Sequence, residues 1–156
     1  METGKDIIFF WVSRMIMLGI YRTGKAPFKK VYLHGMVRDK HGKKMSKSKG
    51  NVIAPSDVQE RFGTDALRMG LLVNNAPGND MNLDVDKVNA YKKFANKLWN
   101  ITRFTLTATT DIPKDAVLNE SDAKNIEDNL SANVTEITKH MNADRFDIAS
   151  EKLYHF

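Results

Sequence analysis

The sequence predicts a mostly α-helical protein with a small α/β part at its N-terminal end. Before about residue 60, a helical pattern leads directly into a short apolar strand, which is the order of an α/β layer. After that point the apolar residues recur with helical spacing. The 156 residues, 42% hydrophobic and 28% charged, suit one medium domain or two small ones.

The first predicted element is a helix over residues 6–22. Ile7, Trp11 and Met15 follow the spacing of one helical face, and a second apolar stripe runs beside it. So broad an apolar surface predicts a helix that packs on two sides. Gly24 predicts the end of the helix, because glycine is favoured just after a last turn.

A short buried strand and a basic loop are predicted next. The strand lies within residues 29–37, and Gly35 in it marks a close approach of another backbone. The loop follows as KKMSKSKGN, residues 43–51. Residues 38–49 hold six cations and one acid, so their net charge of +5 equals that of the whole chain. Such a segment suits a polyanion, although the charges alone favour a solvated basic turn, because lysine-rich loops are common.

Two short helices are predicted after the loop. Ser56 with Gln59 three residues later fits a capping box at the start of one helix, and Gly63 fits its end. Thr64 is the predicted cap of the next helix, over residues 65–73.

The remaining elements are a loop and three further helices. The loop covers residues 74–80, and a long helix is predicted over residues 85–107. Ser121 begins another helix, and Asp144 is the predicted cap of the last. A single helix–strand unit cannot complete a sheet, and the final helix has barely begun its apolar face. We therefore expect the chain to be a segment of a larger protein.

Composition narrows the class of protein. No apolar run reaches the roughly 18 to 20 residues that span a bilayer, and the N-terminus lacks the pattern of a signal peptide. Cysteine is absent, and the four histidines are scattered along the chain. We expect a cytoplasmic protein with no membrane association and no protein-bound metal.

The order of residues around the basic loop resembles a known signature. LHGMVRDKHGKKMSKSKGNVI is similar to the second signature, KMSKS, of the class I aminoacyl-tRNA synthetases. ETGKDIIFFWVSRMI upstream, and GTDALRMGLL, APGNDMNL and FANKLWNITRF downstream, resemble the valine-specific members in order and spacing. ADRFDIASEKLYHF near the end resembles them again. The resemblance is dense over residues 2–104 and diffuse over residues 107–144.

The resemblance implies a fold and a division into domains. It implies the C-terminal piece of a Rossmann-type nucleotide-binding fold, followed by a segment of a helical bundle. Residues 1–55 would end the catalytic domain and carry the KMSKS loop. Residues 56–84 would be connecting helices at the tRNA stem, and residues 85–156 would begin the anticodon-binding domain.

The resemblance also implies site residues. Lys47 and Lys44 would be catalytic, with Lys47 at the pyrophosphate of ATP. The implied ATP-binding positions are His34, Gly35, Met36, Val37, Lys44, Met45, Ser46, Lys47 and Ser48. The implied amino-acid-binding positions are Asp6, Ile7 and Trp11. Plain structural alternatives are a helix cap for Asp6, helix packing for Ile7 and Trp11, and strand interior for residues 34–37.

Substrates and partners follow from the same resemblance. A full-length parent would join valine to tRNA(Val) through an adenylate, with ATP as substrate and Mg²⁺ accompanying it, and would be a monomer. The first class I signature, of the His-Ile-Gly-His type, does not occur in this sequence. The editing insertion and the C-terminal coiled coil have no counterpart either, so the chain alone is expected to be inactive.

Several alternatives remain open from the sequence. A non-catalytic RNA-binding helical module would also use a basic loop, and a fragment of isoleucyl-tRNA synthetase would share the signature. The stretch DIIFFWV argues against the isoleucine enzyme. Arg68 is interpreted as structural first and ligand-binding second. The resemblance places Trp99, Asn100 and Arg103 where helical and catalytic parts meet, as packing residues first and tRNA contacts second.

Overall fold

The computed structural model describes residues 1–113, 115–117 and 119–156 and divides into two compact units. The first unit comprises Met1–Ile53 together with Asn75–Asp84. The second comprises Ala54–Asn74 together with Val85–Phe156. The described residues are mostly helical, as predicted, and the four short strands lie in the first unit.

The strands of the first unit form two parallel pairs. Strand β1 (Glu2–Gly4) pairs with β2 (Tyr32–His34). Strand β3 (Val37–Arg38) pairs with β4 (Met81–Asn82). The single strand predicted within residues 29–37 is therefore wrong in detail, because it is interrupted between β2 and β3. Strands β1 and β4 were not predicted, since two or three residues are too short to show an alternating pattern.

The first predicted helix is built from three helical geometries. A 3₁₀ turn at Lys5–Ile7 leads into a π-helical segment at Ile8–Val12, and α1 follows at Ser13–Thr23. Gly24 ends α1 with φ of 69°, as predicted. Packing on two sides is not found within the described residues: Val12 is buried, whereas Phe9 is 83% exposed. The π-helical turn explains part of this difference, because it rotates later side chains away from the face that regular spacing assigns.

The second unit is a set of five helices. They are α2 (Pro55–Phe62), α3 (Thr64–Leu72), α4 (Val85–Ala108), α5 (Glu120–Asn142) and α6 (Phe146–His155). Its buried core includes Val88, Tyr91, Ala66 and Ala149. Gly70 on α3 lets α4 come close, because a Cβ there would lie 3.1 Å from a methyl carbon of Val88. No helix in the described ranges is both long enough and apolar enough to cross a membrane.

The predicted capping box at α2 is wrong. Ala54 is the N-cap, and Pro55 occupies the first helical position. Proline already has helical φ and needs no acceptor for an amide proton, so the helix starts without a side-chain cap. The Gln59 amide instead donates to Thr64 Oγ1 at 2.7 Å.

Two other predicted caps are also wrong. Gly63, with φ of 91°, precedes α3, and Thr64 is already the first helical residue. Arg145 precedes α6, while Asp144 adopts left-handed backbone with φ of 57°. Asp tolerates this conformation better than most residues, which allows the tight connection between α5 and α6.

Candidate functional site

The basic loop begins as a tight hairpin that continues β3. The Asp39 amide donates to the Lys43 carbonyl at 3.0 Å, and the Gly42 amide donates to the Asp39 carbonyl at 2.9 Å. Arg38 and Lys44 face each other across an antiparallel bridge. Gly42 has φ of 74°, which favours glycine at this turn. The loop is therefore rooted in the first unit at both sides of its base.

Asp39 holds the hairpin from inside. Its side chain is buried, with 9% of the residue exposed. Oδ1 accepts hydrogen bonds from the amides of His41 and Lys43 at 3.0 and 2.8 Å, and Oδ2 accepts one from the Asn51 side chain at 2.7 Å. The Asn51 bond, followed by the Lys43 amide, lowers the pKa of the Asp39 carboxyl below its usual value. A carboxylate thus organises a segment whose other formal charges at neutral pH are all positive.

Asn51 closes the loop from the other end. Its Oδ1 accepts from the Ser46 amide at 3.0 Å, and its Nδ2 donates to the Lys44 carbonyl at 3.3 Å as well as to Asp39. One amide side chain therefore connects three points of the loop. Neither Asp39 nor Asn51 was predicted as a site residue. The sequence does carry an indication of them: each is an aspartate or asparagine beside a turn that contains glycine, and such side chains often hydrogen-bond the backbone of the turn.

The KMSKS residues form the outer part of this hairpin. A 3₁₀ turn at Lys47–Lys49 ends at Gly50, which has φ of 64°. The hydroxyls of Ser46 and Ser48 lie 3.2 Å apart. Lys44 and Lys47 are exposed, and neither ammonium group has an ion pair among the described residues. A braced backbone thus presents two uncompensated positive charges to solvent.

A second group of predicted residues meets at the carboxyl ends of β1 and β2. A Cβ placed on Gly4 would lie 2.8 Å from Asp6 Oδ1, 3.5 Å from His34 Cε1 and 3.7 Å from Ile7 Cγ1. Asp6, Ile7 and His34 therefore surround Gly4. Ligands of α/β proteins bind at this end of parallel strands, which makes the cluster a candidate small-molecule site.

Trp11 and His34 have defined partners in the same region. The Trp11 indole donates to Thr3 Oγ1 at 3.1 Å, and Thr3 is buried in β1. The imidazole of His34 lies 3.1 Å from Glu2 Oε1 through Nε2 and 2.9 Å from the Gly35 carbonyl through Nδ1. Residues of β1 thus orient both rings: Thr3 accepts from Trp11 of the π-helical segment, and Glu2 contacts His34 of β2.

Gly35, which lies between β2 and β3, is directly against a returning segment of chain, and the predicted close approach of another backbone is confirmed. A Cβ at Gly35 would overlap the carbonyl of Asn79. The Gly78 amide donates to the Leu33 carbonyl at 2.8 Å, so the contact continues along β2. Gly35 and Met36 are therefore covered on this side by Asn75–Asp84.

Asp80 is a third functional candidate that sequence reasoning missed, after Asp39 and Asn51. Its Oδ1 accepts from the Met36 amide at 2.9 Å and lies 3.1 Å from Lys5 Nζ. Its Oδ2 accepts from Nε and Nη2 of Arg38 at 2.8 and 2.6 Å. The Met36 amide, and then Arg38 and Lys5, hold the pKa of this carboxyl well below its usual range. Asp80 ends the predicted loop over residues 74–80 and lies in the quoted stretch APGNDMNL, but no role was predicted for it.

The residues predicted in the second unit lie on or near an apolar groove. Arg68 and Trp99 line this groove of about 540 Å³ between α3, α4 and α6. Trp99 is 72% exposed and so is not a core residue of the described part of the chain, and its predicted packing stays a prediction. The Asn100 side chain donates to the Asn96 carbonyl of its own helix at 2.9 Å. Arg103 on α4 is also exposed.

The described residues contain no group of three or more histidine, aspartate or glutamate side chains placed to hold a metal ion. The exposed Lys44 and Lys47 of the loop suit the binding of anions. The small-molecule cluster at the strand ends is a separate feature of the same unit.

Comparisons with known proteins agree on one family. The family model for "tRNA synthetases class I (I, L, M and V)" matches residues 1–84. The chain is 49% identical to the valine–tRNA ligase of Petrotoga mobilis over 159 residues and 45% identical to that of Clostridium acetobutylicum over 161 residues. Each match covers 99% of this chain but 18% of the relative, so the chain spans about a fifth of these ligases.

Solved structures share the fold. A LeuRS–tRNA–LeuAMS ternary complex from Agrobacterium radiobacter K84 matches 99% of this chain and 22% of its own, with a TM-score of 0.78 and 26% identity. A Mycobacterium tuberculosis methionyl-tRNA synthetase bound by methionyl-adenylate matches 98% of this chain and 31% of its own, with a TM-score of 0.74 and 24% identity. Because the family model covers more than half of the sequence, the chain belongs to the class I tRNA synthetases of the I, L, M and V group.

Proposed function

We propose that this chain is the KMSKS-bearing segment of a valine–tRNA ligase. The ligase would activate valine with ATP and transfer it to tRNA(Val). The proposal is supported by 43–49% identity to valine–tRNA ligases over 99% of the chain. Valine activation joins a carboxylate oxygen to the α-phosphorus of ATP and releases pyrophosphate. The segment would act on the leaving pyrophosphate.

Lys47 is the proposed contact for that leaving group. Negative charge builds on the pyrophosphate as its bond to the α-phosphorus breaks, and a cation placed there lowers the barrier. The observation that carries the proposal is the braced hairpin with its two uncompensated ammonium groups, Lys44 and Lys47. Met45, Ser46 and Ser48 would shape the loop around the phosphates, and Mg²⁺ would arrive with ATP.

The strand ends are the proposed place for adenine and valine. His34, Gly35, Met36 and Val37 would border the adenine on the side away from Asn79, which already fills the space beside Gly35. Asp6, Ile7 and Trp11 would border valine, and the clustering of Asp6 and Ile7 around Gly4 supports this placement.

The helices are the proposed tRNA-binding part of the segment. We assign residues 56–84 to connecting helices at the tRNA stem and residues 85–156 to the start of the anticodon-binding domain. We place the full-length ligase in the cytoplasm as a monomer. The 156-residue chain alone is expected to form no valyl-adenylate, and valine-dependent pyrophosphate exchange by the chain alone would contradict this expectation.

The test uses a full-length chimera in which this chain replaces the matching 18% of the Petrotoga mobilis ligase. Lys47→Ala in the chimera should lower the rate of valine-dependent ATP–pyrophosphate exchange by about 100-fold or more. The affinity for tRNA(Val) should change little. Lys49→Ala is the matched control, because it removes the same charge from the same 3₁₀ turn. Its effect on exchange should be much smaller.

The alternative function makes a different prediction in the same assay. If the loop only grips a nucleic-acid backbone, Lys47→Ala should leave exchange intact. It should instead weaken tRNA binding and reduce the salt dependence of that binding by about one unit of slope. That result would contradict the proposed role in valine activation.

A further inference from the structure

We propose that Asp80 is a positioning residue for the KMSKS hairpin. Its carboxylate would tie the root of the hairpin, through Arg38, to the residue that follows β1, through Lys5. The effect on the reaction rate rests on the proposed function, whereas the effect on the order of the hairpin does not.

Arg38 transmits the position of Asp80 to the hairpin. Two nitrogens of its guanidinium donate to Asp80 Oδ2 at 2.8 and 2.6 Å, while Nη1 lies 3.4 Å from the Gly42 carbonyl at the turn. The backbone of Arg38 also pairs with Lys44 across the hairpin. One side chain thus spans from Asp80 to the far end of the turn that precedes KMSKS.

The other oxygen of Asp80 contacts the part of the unit that carries the strand ends. Oδ1 accepts from the Met36 amide at 2.9 Å and lies 3.1 Å from Lys5 Nζ. Lys5 directly follows β1, and Met36 lies between β2 and β3. Since β1–β2 and β3–β4 are separate two-stranded sheets, the carboxylate connects the two. Asp80 therefore fixes where the hairpin starts relative to the cluster around Gly4.

The chemistry of these contacts requires a carboxylate. All four neighbouring groups are donors, and three of those contacts come from the two cations. An amide at this position would keep one acceptor oxygen for Met36 but turn its N–H₂ toward Arg38 or Lys5. Asp80→Asn is thus nearly isosteric. It should weaken the contact with the Arg38 side chain without leaving a cavity at position 80.

The first measurement is amide hydrogen exchange on the 156-residue chain. Asp80→Asn should speed exchange at the Lys43 and Ser46 amides, which are hydrogen-bonded in the hairpin. Exchange in the helices of the second unit should be unchanged. Asp128→Asn is the matched control, because Asp128 is exposed on α5 and its carboxylate has no partner among the described residues. It should leave the hairpin amides unaffected.

The second measurement is a mutant cycle in the full-length chimera. Asp80→Asn should lower the kcat of pyrophosphate exchange by about tenfold, because a small misplacement of a reacting group is costly. The KM for valine should change little. In the Lys47→Ala background, Asp80→Asn should cause almost no further loss, since it acts through the placement of Lys47. A merely structural role would instead multiply the two losses.

A second variant covers the case in which Asp80→Asn fails to fold. Arg38→Lys keeps the charge but loses the two-nitrogen contact, so it should shift the same readouts in the same direction by a smaller amount. The inference would be overturned if amide hydrogen exchange in the hairpin were unchanged in both Asp80→Asn and Arg38→Lys. The inference would also be overturned if the double variant Asp80→Asn/Lys47→Ala lost kcat by the product of the two single-variant losses. If Lys47→Ala leaves pyrophosphate exchange unchanged, only the proposed function is contradicted. Amide hydrogen exchange in the hairpin still decides the role of Asp80.

Discussion

The KMSKS hairpin and the α3–α4 contact are held together by different forces. In the hairpin, Asp39 and Asn51 connect the turn, the Lys44 carbonyl and the Ser46 amide through polar atoms. In the α3–α4 contact, the wholly buried Val88 fills the space left by the missing side chain of Gly70. The hairpin has almost no apolar core, whereas the helices have almost no buried polar atoms at this contact.

Because of this difference, substitutions in the two regions should affect different properties: the position of side chains in the hairpin, and the free energy of unfolding in the helices. Apolar burial contributes in proportion to area, so losing part of it weakens the whole helical unit. A hydrogen bond contributes about 0.5–1.5 kcal/mol net, or about 1.5–3 kcal/mol when one partner is charged, and its directional geometry fixes the position of the groups that it joins. We therefore expect polar substitutions in the hairpin to change where Lys47 lies more than they change the free energy of unfolding.

The largest expected effect is steric and lies beside the hairpin. Gly35→Ala would drive a Cβ into the Asn79 carbonyl, so Asn75–Asp84 must move away. The expected loss in the free energy of unfolding of the first unit is about 3 kcal/mol or more. Amide exchange over residues 76–83 would measure it. Gly19→Ala is the control, because the nearest atoms to its Cβ would belong to the Pro27 side-chain ring at 3.2 Å and not to backbone. Equal tolerance of both changes would contradict the packing described at Gly35.

A core truncation tests the helical side of the comparison. Val88→Ala should lower the free energy of unfolding of the helical unit by about 2 kcal/mol, from lost burial and the cavity that remains. Urea unfolding followed by circular dichroism would measure the change. Val134→Ala makes the same substitution at a position that is 54% exposed on α5 and should cause no loss. Equal losses in the two variants would show that Val88 is not a core residue.

Truncation of Asn51 tests the hairpin side. Asn51→Ala removes the acceptor of the Ser46 amide and one partner of Asp39. We expect faster exchange at Ser46 and a change of about 1 kcal/mol or less in the free energy of unfolding. In the full-length chimera, pyrophosphate exchange should fall more than this small loss of stability suggests. A large loss in the free energy of unfolding together with normal pyrophosphate exchange would show that Asn51 serves stability and not the placement of Lys47.

The smallest expected effect is a dependence on acid pH. Hydrogen bonds from Asn51 and the Lys43 amide lower the pKa of Asp39 below its ordinary value of 3.8. A carboxyl with a lowered pKa in the folded state stabilises the fold above the unfolded pKa, and this stabilisation is lost as the pH falls through the folded pKa. In an NMR titration, the chemical shift of the Lys43 amide should therefore stay constant from neutral pH to about 5. It should then change with a midpoint below pH 3.8. A midpoint at or above 3.8 would exclude the Asp39 contacts.

Sequence reasoning succeeded where the cause is local. The end of α1 at Gly24 and the close approach at Gly35 each follow from one residue type. The contact between Arg38 and Asp80 joins residues 42 positions apart, so no local pattern contains it. Local patterns also misled at the caps, where Pro55 starts α2 without help from Ser56.

The most direct test of the account is amino-acid-dependent ATP–pyrophosphate exchange by the unmutated full-length chimera. We predict exchange that depends on valine, at a rate close to that of the Petrotoga mobilis ligase from which the rest of the chimera comes. A chimera that unfolds at the same temperature as that ligase and binds tRNA(Val), yet exchanges no pyrophosphate with valine, would contradict the central claim that this hairpin serves valine activation.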